Sequence, residues 1–469
     1  MFEEVSPLKA LLRYHLMPRM ILVAIVDFIT DFSAVMVAMF LIYGSAYIAG
    51  LGSAQVAVQA SVFALVFLAM RFAVGLYDWR CCTELKDVFA RTIAAYACGF
   101  LVLSLIYYLV PGVQIWRSAA AVGMPLALVV VLATRYLLDH GFQGRVFVRR
   151  VLVVGVGDKA ARIETLEQRK GQRSFCCVGF MPLPGEVRMV SPGRIIASVN
   201  SLRLFSEQNE VDEIVIAPAD RRGTLPMQAL VECRLAGVRI STYQMFIEKE
   251  TGRVDPDTLQ PDWFLFSQGF PSRGLQEAIK RGFDIVASVC LILLALPLMI
   301  STMLAIRLEG RGSPFYLQER VGLRGKPFTL IKFRSMRPDA EKDGRPQWAR
   351  VHDDRVTTVG QVMRKTRIDE LPQLFNVLKG DMSFVGPRPE RAFFVEQLAQ
   401  QIPFYNERHE VKPGITGWAQ LNYSYGASVE DAKEKLAFDL YYIKYYSVMR
   451  DIVIILQTMR VVVWSQGAR

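Results

Sequence analysis

The stretch FDIVASVCLILLALPLMISTMLAI, from Phe283 to Ile306, decides how this chain meets a membrane. It carries a single charge, Asp284, and Pro297 divides it into arms of 14 and 9 residues. As helices these arms would be about 21 and 14 Å long, so neither alone crosses ~30 Å of hydrocarbon. A proline inside a helix also removes a hydrogen bond and favours a kink. Because basic residues flank both ends, the segment predicts a re-entrant helix that enters and leaves by the cytoplasmic face.

The N-terminal third contains further apolar runs of about 20 residues, the length that spans a bilayer as a helix. These four runs are Met20–Tyr43, Val56–Leu76, Thr92–Val110 and Ala119–Leu138. Lys and Arg concentrate before the first run, between the second and third, and after the fourth. The positive-inside rule therefore places the N-terminus, and everything after about residue 140, in the cytoplasm.

Two carboxylates, Asp27 and Asp31, lie four residues apart on one face of the first predicted span. Intramembrane carboxylates are costly enough to suggest a function. Arg71 and Arg135, however, fall near the cytoplasmic ends of the second and fourth spans, where Asp27 also lies. A structural ion pair between helices is the alternative that we favour.

Composition and charge narrow the class of protein. The chain has 469 residues, which favours two or three folded units, and its 52% hydrophobic content favours membrane segments. The net charge of +11 is concentrated after residue 270 and predicts attraction to anionic lipid or phosphate. Nucleic acid is not an expected partner, because no helix-turn-helix pattern, zinc spacing or unbroken basic run is present. The seven cysteines form no C-x-x-C motif and are expected to be reduced.

Alternating strand and helix patterns from Val151 to Thr242 predict a small parallel α/β unit of Rossmann type. Gly155, Gly157 and Ala160 fit a relaxed G-x-G-x-x-A loop. The second predicted strand ends at Pro182 without an acidic residue for a ribose, which weakens the case for a dinucleotide. A structural or regulatory module is the favoured interpretation, and a bound ligand stays open.

The predicted fold class is a mixed membrane protein. Its predicted parts are a four-helix transmembrane bundle (residues 1–145), a Rossmann-like α/β domain (146–250), a linker (251–274) and a C-terminal monotopic domain (275–469), which the re-entrant helix at 283–306 attaches to one face of the membrane. The mixed apolar and basic stretch at 441–464 predicts an interfacial amphipathic helix, because its charges interrupt every apolar window of spanning length.

The candidate catalytic group is the pair of adjacent acidic residues Asp369-Glu370, which is surrounded by Arg and Lys. The sequence shows no Ser/His/Asp arrangement and no phosphate-binding P-loop motif. A carboxylate can attack a phosphoryl group, a second can act as base, and a divalent cation can neutralise a diphosphate. Arginine forks bind phosphate oxygens in a bidentate way. An acidic pair alone is more often part of a solvated helix face, so the surrounding motifs decide whether a catalytic role is supported.

Those motifs are KFRSM at 332–336, RKTRIDELPQ at 364–373, GPRPE at 386–390 and KPGITGW at 412–418. In this order, after a proline-broken apolar segment, they closely resemble the bacterial sugar transferase family. These are the monotopic phosphoglycosyl transferases, or polyprenyl-phosphate hexose-1-phosphate transferases. The resemblance runs from about Leu275 to Trp464. The N-terminal layout resembles the long form of exopolysaccharide initiators, including a branch linked to PEP-CTERM loci.

The resemblance implies transfer of a hexose-1-phosphate from a UDP-sugar to polyprenyl (undecaprenyl) phosphate at the bacterial inner membrane. It implies that Asp369 is the nucleophile, forms a covalent phospho-sugar intermediate and helps to hold Mg²⁺. Glu370 would be its acidic partner, a base for the lipid phosphate, and Pro297 would bend the re-entrant helix. The implied substrate-binding residues are Lys332, Arg334, Arg364, Pro387, Arg388 and Pro389. Arg367 departs from the family pattern, because many members have Ser there.

The sequence also allows predictions for Gly414 and Trp418, and two alternative functions stay open. Gly414 and Trp418 are expected to be structural, with a headgroup contact as the alternative for Trp418. One rival is a non-catalytic membrane scaffold or nucleotide-sensing regulator of polysaccharide assembly. The other is a polytopic transferase that uses a single direct displacement. The sequence identifies neither the sugar nor the oligomeric state, and dimerisation through the N-terminal half stays open.

Overall fold

The computed structural model describes residues 16–77, 85–141, 148–169, 174–196, 201–218, 225–259, 261–266, 273–337, 355–423, 426 and 428–463. The chain divides into two compact units, residues 1–250 and 251–469. The domain boundary predicted at residues 145 and 146 lies outside the described residues.

The first unit begins with long apolar helices: α1 (Leu16–Leu51), α2 (Ser53–Ala73), α3 (Leu85–Leu109) and α4 (Arg117–Gly141). Helix α1 packs against α2 and α4, and α3 packs against the same two helices. Phe63, Phe67 and Tyr96 are buried between the helices, whereas the outward Leu101 and Leu137 are more than 60% exposed. Each helix contains a segment that is long and apolar enough to cross a membrane. Apolar side chains outside as well as inside are what a lipid environment requires.

The two aspartates of α1, Asp27 and Asp31, are neutralised by arginines of neighbouring helices. Arg71 lies 2.6 Å from Asp31, and Arg135 lies 2.5 Å from Asp27. The Tyr96 hydroxyl also donates to Asp31 at 2.6 Å. The predicted ion pair between helices is therefore confirmed.

The rest of the first unit is an α/β fold. Its elements are β1 (Arg149–Val154), α5 (Asp158–Gln168), β2 (Phe175–Met181), α6 (Leu202–Gln208), β3 (Glu213–Ile216), α7 (Met227–Leu235), β4 (Arg239–Thr242) and α8 (Tyr243–Thr251). The strands pair in parallel in the order β2-β1-β3-β4, and an apolar core lies on each face of the sheet. This is the parallel α/β unit that the sequence predicts.

Other residues of the protein occupy the space at the glycine loop of this unit. Gly155 has φ of +127°, and a Cβ there would lie 2.5 Å from the carbonyl oxygen of Ala217, so the close strand packing requires glycine. The Val156 amide donates to the Glu186 carboxylate at 2.9 Å. A carboxylate of the protein thus takes an amide that a ligand phosphate would need, which favours the structural interpretation of this loop.

The second unit contains α9 (Pro261–Phe266), α10 (Arg273–Glu309), β5 (Phe315–Val321), β6 (Pro327–Phe333), α11 (Thr358–Thr366), α12 (Gln373–Lys379), β7 (Ser383–Val385), α13 (Ala392–Gln401), β8 (Gly414–Thr416), α14 (Trp418–Asn422), α15 (Val429–Lys444) and α16 (Val448–Val463). Strands β5 and β6 form an antiparallel hairpin, and β7 pairs in parallel with β8. Val377, Leu436, Leu440, Tyr442 and Ile454 belong to the main core.

Two residues of the segment predicted as a linker (251–274), Val254 and Trp263, lie in the core of the second unit. Val254 is fully buried there, and its amide donates to the Ala437 carbonyl at 3.0 Å. Trp263 is also buried in the main core. The proline- and aspartate-rich composition predicts a linker, and these two apolar side chains attach its described part to the core of the second unit.

Helix α10 is a single helix of 37 residues that continues through Pro297. Near its start, Arg281 donates to the Val377 and Leu378 carbonyls at 2.6 and 2.7 Å. Near its end, the Glu309 carboxylate accepts the Val359 amide at 3.0 Å. Between these contacts most side chains are apolar and many of them are exposed, and the helix is long and apolar enough to cross a membrane. Its re-entrant path stays a prediction.

Candidate active site

The acidic pair lies in a tight turn between two helices. Thr357 caps the start of α11 by accepting the Gly360 amide at 3.0 Å. The helix ends at Arg367, whose φ of +61° turns the chain, and a 3-10 turn follows from Ile368 to Glu370. Ile368 packs beneath this turn against a small core that includes side chains of α10 and β6. Leu371, on the other side of the acidic pair, packs against the same core.

The two neighbouring carboxylates have different surroundings. Glu370 Oε1 lies 3.1 Å from Lys332, 3.7 Å from Arg388 and 3.8 Å from Arg367. Asp369 is 9% exposed, and its Oδ1 is buried with no hydrogen-bond partner among the residues that the structure describes. A buried polar atom normally has a partner, so this oxygen is available to a ligand.

The electrostatics separate the pair further. Burial would raise the pKa of Glu370, but Lys332, Arg388 and Arg367 outweigh it and lower that pKa to about 2. Burial raises the pKa of Asp369, and the negative charge of Glu370 raises it further, against the opposing effect of Lys332. Glu370 is therefore a fixed anion and a weak base. Asp369 keeps the higher proton affinity.

The structure brings some of the predicted site residues to the acidic pair. Lys332 on β6 and Arg388 both reach Glu370, and the charge of Arg364 acts on Asp369. Arg364 also donates from Nε to the Ser335 hydroxyl at 3.0 Å. Arg334 instead donates to the Gly310 and Arg311 carbonyls at 3.1 and 2.9 Å. Those contacts hold the chain where it leaves α10, and substrate binding by Arg334 stays a prediction.

The turn of Pro387, Arg388 and Pro389 is held by close main-chain packing. A Cβ on Gly414 would lie 2.1 Å from the nitrogen of Gly386, so the adjoining strands approach as closely as glycine permits. This contact gives Gly414 the structural role expected of it. Trp418 donates from its indole nitrogen to the Gly252 carbonyl at 2.7 Å, a structural contact as well.

Several residues near the site are not singled out by sequence reasoning. Arg408 and Arg320 donate to carbonyls of the same turn, and Asp439 pairs with Arg408 at 2.9 Å. The sequence contains only an indirect signal for these donors. Prolines have no amide hydrogen, so a Pro-Arg-Pro turn must be held through its carbonyls, and those need donors from elsewhere.

A Mg²⁺ ion fits this donor set in part. In the described part of the chain no three His, Cys, Asp or Glu residues form a metal cluster. Mg²⁺ is usually bound by one or two carboxylates together with substrate phosphates and water, so a complete protein cage is not needed. The unpartnered Oδ1 of Asp369 is a suitable oxygen ligand, whereas Glu370 is already paired with cations.

The fold and the site define a membrane protein whose second unit carries a buried carboxylate, with one oxygen unpartnered among the described residues, beside an anion held by cations. Residues 275–465 match the family described as bacterial sugar transferase. The chain is 43% identical to the UDP-glucose:undecaprenyl-phosphate glucose-1-phosphate transferase of Caulobacter vibrioides, and the match covers 38% of this chain and 68% of that protein. The chain belongs to the bacterial sugar transferase family.

Two longer relatives match over more of the chain. The UDP-N-acetylgalactosamine-undecaprenyl-phosphate N-acetylgalactosaminephosphotransferase of Aeromonas hydrophila is 46% identical over 240 residues, 51% of this chain and 56% of that protein. The undecaprenyl-phosphate glucose phosphotransferase of Komagataeibacter xylinus is 34% identical over 341 residues, 71% of this chain and 62% of that protein. The chain thus spans less than two thirds of the length of these relatives.

Proposed function

We propose that this protein transfers a sugar 1-phosphate from a UDP-sugar to undecaprenyl phosphate, as the first step of exopolysaccharide synthesis. The observation that carries the proposal is Asp369, a buried carboxylate whose Oδ1 lacks a hydrogen-bond partner among the described residues and which lies beside a cation-bound acid. The two longer relatives are named as transferases that act on undecaprenyl phosphate, and this supports the acceptor.

The reaction proceeds in two displacements. A carboxylate oxygen of Asp369 attacks the phosphorus that carries the sugar, and the bond from that phosphorus to the bridging oxygen breaks, so UMP leaves with the electron pair. An oxygen of undecaprenyl phosphate then attacks the same phosphorus, and the Asp369 carboxylate leaves. The product is a lipid-linked diphosphosugar. Lys332, Arg364 and Arg388 stabilise the phosphate charges in both steps.

The pKa of Glu370 favours a role other than general base. A carboxylate with a pKa of about 2 accepts a proton poorly near neutral pH. The acceptor needs little help, because the second pKa of a phosphate monoester is ~6 and its dianion predominates above that pH. We therefore assign Glu370 to orienting Lys332 and Arg388 around the donor diphosphate.

A bound Mg²⁺ would be held by Asp369 together with the donor diphosphate. It would supply charge neutralisation for the leaving UMP. The chain's own contribution is the burial of Asp369, which keeps one carboxylate oxygen free of protein donors among the described residues.

The contacts of α10 support a re-entrant path. Arg281 near its start and Glu309 near its end both contact the second unit, and Met299 and Ile306 pack against the core beneath the acidic pair. A helix that crossed the bilayer completely would leave its two ends on opposite sides. With the basic loops of the N-terminal helices on the cytoplasmic side, both ends of α10 and the acidic pair lie there too.

UMP release from the purified protein tests this function and its mechanism. A panel of UDP-sugars, beginning with UDP-glucose and UDP-N-acetylgalactosamine, is mixed with the protein without lipid acceptor. Two displacements produce a burst of UMP close to one per protein, with a sugar-phosphate adduct on Asp369 by mass spectrometry. Addition of undecaprenyl phosphate then restores turnover. UMP release that strictly requires the lipid would favour a single displacement instead.

A further inference from the structure

The Pro387–Pro389 turn is held through three consecutive carbonyl oxygens. The Gly414 amide donates to the first at 3.0 Å, the Arg408 guanidinium to the second at 3.1 Å, and the Arg320 guanidinium to the third at 3.1 Å. The two prolines have no amide hydrogen with which to fix the turn. Three different parts of the chain therefore set the path of the main chain at the turn.

Arg408 differs from the other two donors because it is a deeply buried charge. It is 6% exposed, pairs with Asp439 on α15 at 2.9 Å and donates to the Tyr405 hydroxyl at 2.6 Å. Asp439 is 2% exposed. A buried ion pair is weak evidence for stability, because apolar residues of similar volume often serve as well. An apolar pair could not orient the main chain. A charge-assisted hydrogen bond from a fixed guanidinium does so, because it fixes the direction of the carbonyl that accepts it.

The carbonyl that Arg408 holds belongs to the residue that reaches the acidic pair. Nη1 of Arg388 lies 3.7 Å from Oε1 of Glu370, and the charge of Arg388 helps to lower the pKa of Glu370. We propose that Arg408 and Asp439 are positioning residues for the transfer reaction. They fix the main chain of Arg388, so that its guanidinium stays beside Glu370 and the donor phosphates. The proposal rests on the function proposed above and adds two residues that do not contact the substrate.

A double-mutant cycle tests whether Arg408 acts through Arg388. The variants are Arg408→Lys, Arg388→Ala and the double variant, and the readout is kcat/KM for the UDP-sugar. Lysine keeps the buried charge beside Asp439 but cannot make the same set of hydrogen bonds. Arg408→Lys should lower kcat/KM about tenfold in the otherwise native protein and less than about twofold in the Arg388→Ala background. An equal loss in both backgrounds would overturn the proposal.

Tyr405→Phe is the matched control. It removes the hydrogen bond from Arg408 to the Tyr405 hydroxyl and leaves the ion pair with Asp439 and the contact with the Arg388 carbonyl. Its kcat/KM should stay within about twofold of the native value. If it falls as far as that of Arg408→Lys, the effect belongs to general packing around Arg408, and the proposal fails.

Hydrogen exchange provides a readout that needs no catalysis. The Gly414 amide donates to the Pro387 carbonyl, so its exchange reports on the turn. Arg408→Lys and Asp439→Asn should speed exchange there, and Tyr405→Phe should not. Unchanged exchange in the first two variants overturns the positioning role whatever the activity. A native protein that releases no UMP from any UDP-sugar overturns the proposed function instead.

Discussion

The ammonium group of Lys332 lies 3.1 Å from Oε1 of Glu370, and this contact gives two adjacent carboxylates different chemistry. Glu370 becomes a permanent counter-ion with a pKa of about 2. Asp369 keeps a raised pKa and an oxygen that lacks a partner in the described part of the chain. Paired acids whose surroundings push their pKa values apart take different roles. The carboxylate with the higher proton affinity is also the better nucleophile.

Asp369→Asn should lower UMP release by about 10³-fold or more, because an amide cannot form the acyl phosphate. With a radiolabelled donor, no covalent adduct should appear on the variant. The measurement is single-turnover UMP release from purified protein. Asp381→Asn is the matched control, since Asp381 pairs with the exposed Lys379 and should retain full activity. Normal turnover by Asp369→Asn would end its assignment as nucleophile.

The acid limb of the kcat/KM profile should report Asp369 rather than Glu370. Burial holds the pKa of Asp369 above its ordinary value, so Asp369 loses its negative charge first as the pH falls, and kcat/KM falls with it. Lys332 lowers the pKa of Asp369. Lys332→Met should therefore move the acid limb to higher pH. Lys326→Met, at an exposed lysine just before β6, should leave it in place. An acid limb that does not move in Lys332→Met would contradict this electrostatic description.

The sequence sufficed for the parts of the fold and site that depend on local pattern. Apolar run lengths predict the long helices, and alternating patterns predict the parallel sheet. The acidic pair and its neighbours Lys332 and Arg388 follow from the motifs. The intramembrane ion pair is also predictable, because spanning helices place Asp27 and Arg71 at similar depths.

What the sequence could not supply depends on contacts between distant segments. Arg334 looks like a phosphate ligand in its motif, yet its guanidinium is directed to carbonyls more than 20 residues away. The weak basicity of Glu370 arises from cations on three separate elements. Arg408 and Asp439 look like ordinary surface charges until the fold buries them together. Side-chain direction and burial are tertiary properties, and local spacing does not encode them.

Gly414→Ala should destabilise the second unit by about 3 kcal/mol and weaken activity with it. The new Cβ would lie 2.1 Å from the Gly386 nitrogen, so the strands that support the Arg388 turn would have to separate. Gly282→Ala on α10 is the control, because a Cβ there has open space around it and alanine favours a helix by about 0.5–1 kcal/mol. Thermal unfolding in detergent measures both. Equal melting temperatures would show that the strands can adjust.

Arg71→Met should lower the free energy of unfolding by about 3–5 kcal/mol, because it leaves the buried Asp31 without its cation. The double variant Arg71→Met with Asp31→Leu removes both charges and should recover much of that loss. The measurement is unfolding of the purified protein in detergent or lipid nanodiscs. A double variant less stable than the single one would show that the pair contributes more than charge neutralisation.

The path of α10 can be tested by cysteine labelling in spheroplasts. In a variant without the seven native cysteines, single cysteines replace Glu277 and Ser313, exposed residues on either side of the apolar segment. Gln55→Cys, between the first two predicted spans, marks the outer face. A re-entrant helix returns to the side from which it entered, so an impermeant maleimide should label position 55 in intact spheroplasts and reach positions 277 and 313 only after lysis. Labelling at 313 before lysis, with 277 protected, would mean that α10 crosses the bilayer, which would separate the acidic pair from the cytoplasmic UDP-sugar.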